Sequence, residues 1–290
     1  MDRKTSTAQG QGALAPWRVL LGERPGGGPE RLTEDHIVVL PDAVVVLDGV
    51  STVSDETPLG GWYARTLGAQ LSEQLLGRPA LPLPALLASA IAAVATGHGL
   101  RPGRGPAATV AVVRRNGPRL EAAVLGDSPV VAFHRDGSVS VLSDDRLAGL
   151  LDPRPQTTEY RARLAAGSGF DRRHRELMRE LREFQHTVIN RDGGYWVAEA
   201  TPEAGLRAVT AAWPLAELTD VLLLTDGVSS AVTDHHLLDW PALVADSRRS
   251  HPQQVVDAIH HAETTDPDAI AWPRPKPHDD KALAHLRLDS

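Results

Sequence analysis

The chain has 290 residues, a formal net charge of −7 with a pI near 5.9, and no cysteine. Its 42% hydrophobic and 23% charged residues are the proportions of a globular chain long enough to bury a core without covalent staples. The missing cysteine excludes a disulfide framework, a thiolate zinc site, an iron–sulfur cluster and a cysteine nucleophile. The acidic balance, with no block of basic charge, argues against a nucleic-acid partner.

Residues 1–12 are small and polar, read as a disordered tail, and lack the apolar stretch of a secretion signal. Trp17–Leu21, His36–Leu40 and Ala43–Leu47 read as short strands. Pro58 to Leu76 reads as a helix carrying Leu67, Leu71 and Leu75 on one face, and a second helix follows over Pro84–Ala95. The apolar stretch Leu81–Thr96 is too short and too broken by Pro82, Pro84 and Ser89 to span a bilayer, so the expectation is a cytoplasmic protein with no membrane contact. Strands are then predicted at Ala108–Arg115, Arg119–Leu125, Val130–His134 and Val139–Leu142, with hairpin turn chemistry at Asn116-Gly117-Pro118 and Asp136-Gly137.

Arg172 to Ile189 is the strongest helical pattern: Leu177, Leu181, Phe184 and Val188 recur at helical spacing among arginines and glutamates. Further strands are expected at Tyr195–Val197, Arg207–Ala211, Val221–Leu224 and Ala282–Leu288, and helices at Leu237–Arg248 and Gln253–Ala262. Nothing resembles an interdomain linker or a repeat, so 1–290 reads as one domain. Hairpin-like strand runs with helices in pairs predict an α+β architecture of antiparallel sheets with helices outside.

The positions of the acids relative to these strands carry the functional signal. Asp35 precedes one strand, Asp48 follows the next, Asp226 lies just beyond Val221–Leu224, and Asp279 lies just before the last strand. A two-residue turn at Pro41-Asp42 pairs Leu40 with Ala43 and therefore sets Asp35 opposite Asp48, with Glu34 beside them. Like charges facing each other destabilise a sheet, so the arrangement suits a bound cation or a solvated strand end. Asp226 and Asp279 share an end if their strands pair antiparallel. An all-oxygen cluster favours Mg²⁺ or Mn²⁺ over zinc or copper. Taken singly, Asp48-Gly49, Asp226-Gly227 and Gly126-Asp127-Ser128 read as ordinary turns.

Other candidates weigh less. None of the twelve histidines has a zinc-site spacing, and His235-His236 and His260-His261 read as solvated helix residues. His278, beside Asp279, is a possible proton donor or a plain loop residue. Gly22–Pro29 lacks the ending of a phosphate-cradling loop, and Ser128 and Ser229 lack a nucleophile elbow. Tyr195 and Trp196 read as a turn entering a strand, with substrate-groove lining as the lesser alternative.

Read together and in order, Glu34-Asp35, Val45-Val46-Leu47-Asp48-Gly49, Leu125-Gly126-Asp127-Ser128, Leu142-Ser143-Asp144-Asp145, Leu223-Leu224-Thr225-Asp226-Gly227 and Asp279-Asp280 resemble the signatures of the metal-dependent protein phosphatase 2C family. The resemblance implies a four-layer α-β-β-α sandwich. It implies two Mn²⁺ or Mg²⁺ ions with Asp48 bridging them, the Gly49 carbonyl completing one, and Asp226 and Asp279 holding the other. Glu34 and Asp35 would act through water, Asp127 would help hold a third ion, and Arg31 would clamp the phosphate. The implied activity is hydrolysis of phosphoserine or phosphothreonine in a phosphoprotein, opposing a serine/threonine kinase. A catalytically silent binding relative and a phosphatase of small metabolites are the alternatives left open. The sequence departs from the family pattern in having Val50-Ser51-Thr52 where some members carry a histidine, in the spacing of Arg31, and in residues 146–206, read as a variable flap.

Overall fold

The computed structural model describes residues 17–27, 30–50, 60–103 and 105–288. The tail 1–12, Ser51-Thr52 and the first residues of the helix read from Pro58 lie outside them. Two five-stranded sheets, antiparallel throughout, form the centre. The first is ordered β1-β10-β9-β6-β7, from β1 (Arg18–Arg24), β10 (Lys281–Arg287), β9 (Leu218–Leu224), β6 (Val130–His134) and β7 (Val139–Leu142). The second is ordered β2-β3-β4-β5-β8, from β2 (His36–Leu40), β3 (Ala43–Val50), β4 (Ala107–Asn116), β5 (Arg119–Leu125) and β8 (Val209–Pro214).

Strand periodicity sorts the side chains into layers. In β3, Ala43, Val45 and Leu47 face the helices α1 (Gly60–Gly77) and α2 (Leu83–His98). Val44 and Val46 face the other way and pack with Val221, Leu223, Ala282 and Ala284 of the opposing sheet. The first sheet turns Leu222, Leu224 and Leu283 onto α7 (Asp226–Thr233), α8 (Trp240–Ser250) and α9 (Pro252–Thr265). The outcome is helices, sheet, sheet, helices, the four-layer sandwich expected. Leu47 and Leu67 are wholly buried, and each such side chain contributes about 1.5–3 kcal/mol of transfer free energy.

A polar string runs through the layer between the first sheet and α8. Ser247 Oγ lies 2.7 Å from His285 Nδ1, His285 Nε2 lies 2.8 Å from Asp220 Oδ1, and Arg248 holds the same carboxylate through Nε at 2.8 Å and through a second nitrogen. The order Ser-His-Asp has the make-up of a hydrolase triad, but Ser247 and His285 are 0% exposed, so no substrate reaches them. The string is a structural tie between α8 and two strands.

Residues 146–188 form α3 (Arg146–Leu151), α4 (Pro155–Ala165) and α5 (Arg172–Val188), with a small core of their own made by Tyr160, Leu164, Leu177, Leu181 and Ala269. α5 is capped by Asp171, whose side chain accepts from the His174 amide. Of its expected apolar stripe, Leu177 and Leu181 are buried while Phe184 and Val188 are half-buried; His174 fills the remaining buried position. Tyr195–Val197 is not a strand. Tyr195 makes one isolated bridge to Ile189, and neighbouring Ala198 makes another to Ala108 of β4. α6 (Glu203–Leu206) follows, packed on α2. The helix expected from Leu237 starts at Trp240, where Asp239 caps it by accepting from the Ala242 amide.

Candidate metal centre

The expected hairpin register is present: His36 pairs with Leu47 and Leu40 with Ala43, which brings Asp35 and Asp48 to the open end. β10 pairs antiparallel with β9, Leu283 opposite Leu224, so Asp226 and Asp279 also share an end. It is the same end of the sandwich. Asp48 continues the inter-sheet face of Val44 and Val46 one step past the apolar core, and so projects between the sheet ends.

Neither Asp-Gly pair is a turn. Gly49 lies inside β3 and Gly227 in the first turn of α7. A Cβ at Gly49 would stand 2.4–2.7 Å from backbone atoms of Gly60 and Glu34, and one at Gly227 would stand 2.0 Å from the Asp280 carbonyl oxygen. Glycine is required at both because backbones converge behind the aspartates.

Asp48, Asp127, Asp226 and Asp279 line one cavity of about 510 Å³, together with Glu34, Gly49, Thr109, Asp144 and Glu199. Its outer wall is Arg182, Gln185, His186 and Ile189 at the end of α5, then Tyr195, Trp196 and Val197, and finally Pro275 and Lys276. Tyr195 and Trp196 thus belong to a groove wall. Asp35 is only 3% exposed and sits behind this lining; its Oδ2 accepts from Thr225 Oγ1 at 2.9 Å, and that hydroxyl accepts from the Ala282 amide at 3.0 Å. Thr225 thereby stitches the two sheets together at the site. Asp280 is a fastener, accepting from the Gly26 and Glu34 amides at 2.7 and 2.6 Å. Arg31 is exposed, lies across Gly27, and is not on the cavity wall. His278 is also off the wall and lies 3.0 Å from Glu263.

The electrostatics are those of acids crowded out of water. Burial pushes the Asp48 carboxyl well above the usual range, and Asp226, Asp35 and Asp279 push it further. Burial likewise raises Asp35, Asp127 and Asp226, and Asp279 is pushed up to about 6 by burial and by Asp226. Oδ1 of Asp35 and Oδ1 of Asp226 are buried with no hydrogen-bond partner. A cation also enters the cluster: Lys276 Nζ lies 2.5 Å from Asp279 Oδ1. Burial alone would lower the Lys276 ammonium, but Asp279, Asp226 and Asp48 outweigh it and raise it. Lys276 was legible in outline, since two of only three lysines in the chain bracket Asp279-Asp280. Thr225 and Arg182 carried no such signal.

Orphaned buried carboxylate oxygens, an excess of negative charge and an all-oxygen donor set fit hard divalent ions. Among the described residues, no three aspartates bring one oxygen each within 4.8 Å of one another.

The raised carboxyls give the metal-free protein a signature. A group whose folded pKa is raised is stabilising below its unfolded value and loses that contribution as pH rises through the folded value. Chelator-treated protein is expected to lose stability between about pH 4 and 6, the window set by Asp279, and Asp279→Asn should flatten the slope. Thermal melts across that range, with and without Mn²⁺, make the check; a flat parent profile would contradict the crowding.

No family model matches the chain, and no curated protein matches it. Solved structures do. The Mycobacterium tuberculosis serine/threonine phosphatase PstP/Ppp superposes with a TM-score of 0.57 at 15% identity, over 95% of this chain and 100% of its own. Stp1 from Staphylococcus aureus, also a serine/threonine phosphatase, gives 0.58 at 10% identity over 98% and 100%. MsPP from Mycobacterium smegmatis, a PPM Ser-Thr phosphatase solved with cacodylate, gives 0.56 at 18% over 95% and 100%. A second structure of PstP, its catalytic domain, holds two manganese ions and matches at 0.56 with 15% identity. The fold of this chain is that of the PPM-type phosphatases.

Proposed function

We propose that the chain is a Mn²⁺- or Mg²⁺-dependent phosphatase that hydrolyses phosphoserine or phosphothreonine in proteins. The observation that supports this reading most is the convergence of Asp48, Asp226, Asp279 and Asp127, carried by four separate strand ends, on one cavity of a phosphatase fold. Asp48, Asp226 and Asp279, with the Gly49 carbonyl, would hold two ions, Asp127 a third, and Glu34 would act through water. When bound, such ions acidify a water and offset charge on the phosphoryl oxygens, so no protein nucleophile is required.

The chain's own residues do the rest. Asp35 and Thr225 hold the two sheet ends at a set spacing behind the donors. Lys276 and Arg182 are the cations on the wall, and they take the phosphate-binding role that the resemblance gave to Arg31. His186 also lines the cavity and would donate a proton to the leaving oxygen. Hydrolysis of p-nitrophenyl phosphate and of a phosphothreonine peptide, first with Mn²⁺ and then with excess chelator, tests the reading. Activity that survives the chelator, or none with any divalent ion, would overturn it.

The flap adds a prediction of its own. Arg175, Arg179, Arg182 and His186 form one stripe of α5, but only its last two members reach the cavity. Arg179 is paired with Glu183, and Arg175 donates to the Phe170 carbonyl, whereas Arg182 meets no hydrogen-bond or ion-pair partner among the described residues. Arg182→Ala is expected to raise KM for a phosphopeptide several-fold with little change in kcat. Arg179→Ala should leave both constants unchanged. Equal effects of the two would mean that the stripe is only a solvated face.

A further inference from the structure

A different donor chemistry gathers beside the aspartate centre. α9 presents His260 and Glu263, three residues apart and so on one helix face, toward His278 in the segment leading into β10. One donor atom from each lies within 4.8 Å of the other two, the one such group among the described residues. The reading of His260 as a solvated helix residue does not hold. Its Nδ1 is buried without a hydrogen-bond partner, and its ring stacks on that of His278 with centroids 4.3 Å apart. Its neighbour His261 is the exposed one.

We propose that His260, Glu263 and His278 form a second metal site, separate from the aspartate centre, for a borderline transition ion such as Zn²⁺. Two imidazoles and a carboxylate are zinc donors, whereas the all-oxygen set suits Mg²⁺ or Mn²⁺, so the two sites select different ions. Three protein ligands leave the fourth position to water.

Lys281 is the feature that weighs against an ion here. Its ammonium is wholly buried and donates to Glu263 Oε2 at 2.8 Å, and His278 Nδ1 lies 3.0 Å from the same oxygen. Both contacts use Oε2, and among the described residues no hydrogen bond or ion pair uses Oε1. Lys281 therefore serves as the outer partner that orients the carboxylate, a role that ligating carboxylates commonly require. Its charge weakens the site relative to all-thiolate zinc. An ion at this position ties α9 to the segment that carries Lys276 and Asp279, and so steadies one wall of the cavity from behind.

The test uses the full chain, stripped with chelator and then saturated with Mg²⁺ to fill the aspartate centre. Zn²⁺ calorimetry is expected to show one site that persists in excess Mg²⁺, and zinc should raise Tm. His260→Ala and His278→Ala should each weaken zinc binding at least tenfold, while Asp48→Asn leaves it intact. Both histidines are only partly buried, so both variants should melt close to the zinc-free parent. Co²⁺ offered to the parent in place of zinc should give the visible absorption of a four-coordinate ion, a readout independent of any variant. No zinc binding by the parent, binding that survives both histidine substitutions, or binding lost with Asp48→Asn would each overturn the proposal. None of these outcomes depends on whether the chain is a phosphatase.

Discussion

Asp48→Asn is expected to lower turnover on the order of 10²-fold or more while leaving the fold intact. Asp48 projects between the ends of the two sheets and lies within electrostatic reach of Asp226, Asp35 and Asp279. Asparagine nearly matches its volume, but it offers one ligating oxygen where a carboxylate offers two, and it removes a negative charge from the middle of the cluster. The same loss of charge relieves repulsion in the metal-free state. Chelator-treated Asp48→Asn should therefore melt at or above the chelator-treated parent. Calorimetric titration with Mn²⁺ separates the possibilities: undiminished binding by the variant would remove Asp48 from the metal centre. A lower melting temperature without metal would show instead that the carboxylate is a structural partner.

The largest stability effect is expected far from the cavity, at Asp220. This carboxylate is 2% exposed, held by Arg248 and His285. Burial alone would raise it, but those bonds outweigh burial and bring it from 3.8 down to about 2. Asp220→Ala leaves the Arg248 and His285 groups facing a buried void, and such losses cost about 3–5 kcal/mol. Urea unfolding at pH 7 makes the measurement, with Asp220→Asn expected to lose less because it keeps part of the hydrogen bonding. The pH sign is opposite to that of the metal centre. A depressed carboxylate stabilises above its unfolded pKa and loses that contribution as pH falls through the folded value. The parent should forfeit roughly 2–3 kcal/mol between about pH 4 and 2, and Asp220→Ala should not. A variant as stable as the parent would mean that the buried string is replaceable by packing alone.

Much of the architecture was legible because strand periodicity and turn geometry are local. Pro41-Asp42 sets the register of β2 against β3, and a register once set carries Asp35 and Asp48 to the same end without further information. The Leu177–Val188 spacing likewise marks α5, since an apolar stripe has only one way to face a core. α7 was invisible for a local reason: Asp-Gly at its start reads as a turn, and Val228-Ser229-Ser230-Ala231-Val232-Thr233 is poor in strong helix formers. Its helix exists because Val228 and Ala231 pack against the first sheet. α4 was missed because its sequence is mostly polar and it is held by Tyr160 and Leu164 against α5 and Ala269.

The sequence by itself determined the sheet register, the oxygen-only chemistry of the acid cluster and the exclusion of thiol chemistry, because each depends on residue type and near-neighbour spacing. Only the tertiary structure decided which cations face those acids, since Lys276, Arg182 and Arg31 are equivalent charges until the chain path brings the first two to the cavity and leaves the third across Gly27. The same holds for Asp220, buried with Arg248 and His285, and for the meeting of His260, Glu263 and His278. Contacts between residues far apart in the chain are set by how helices dock on sheets, and no local pattern encodes that docking.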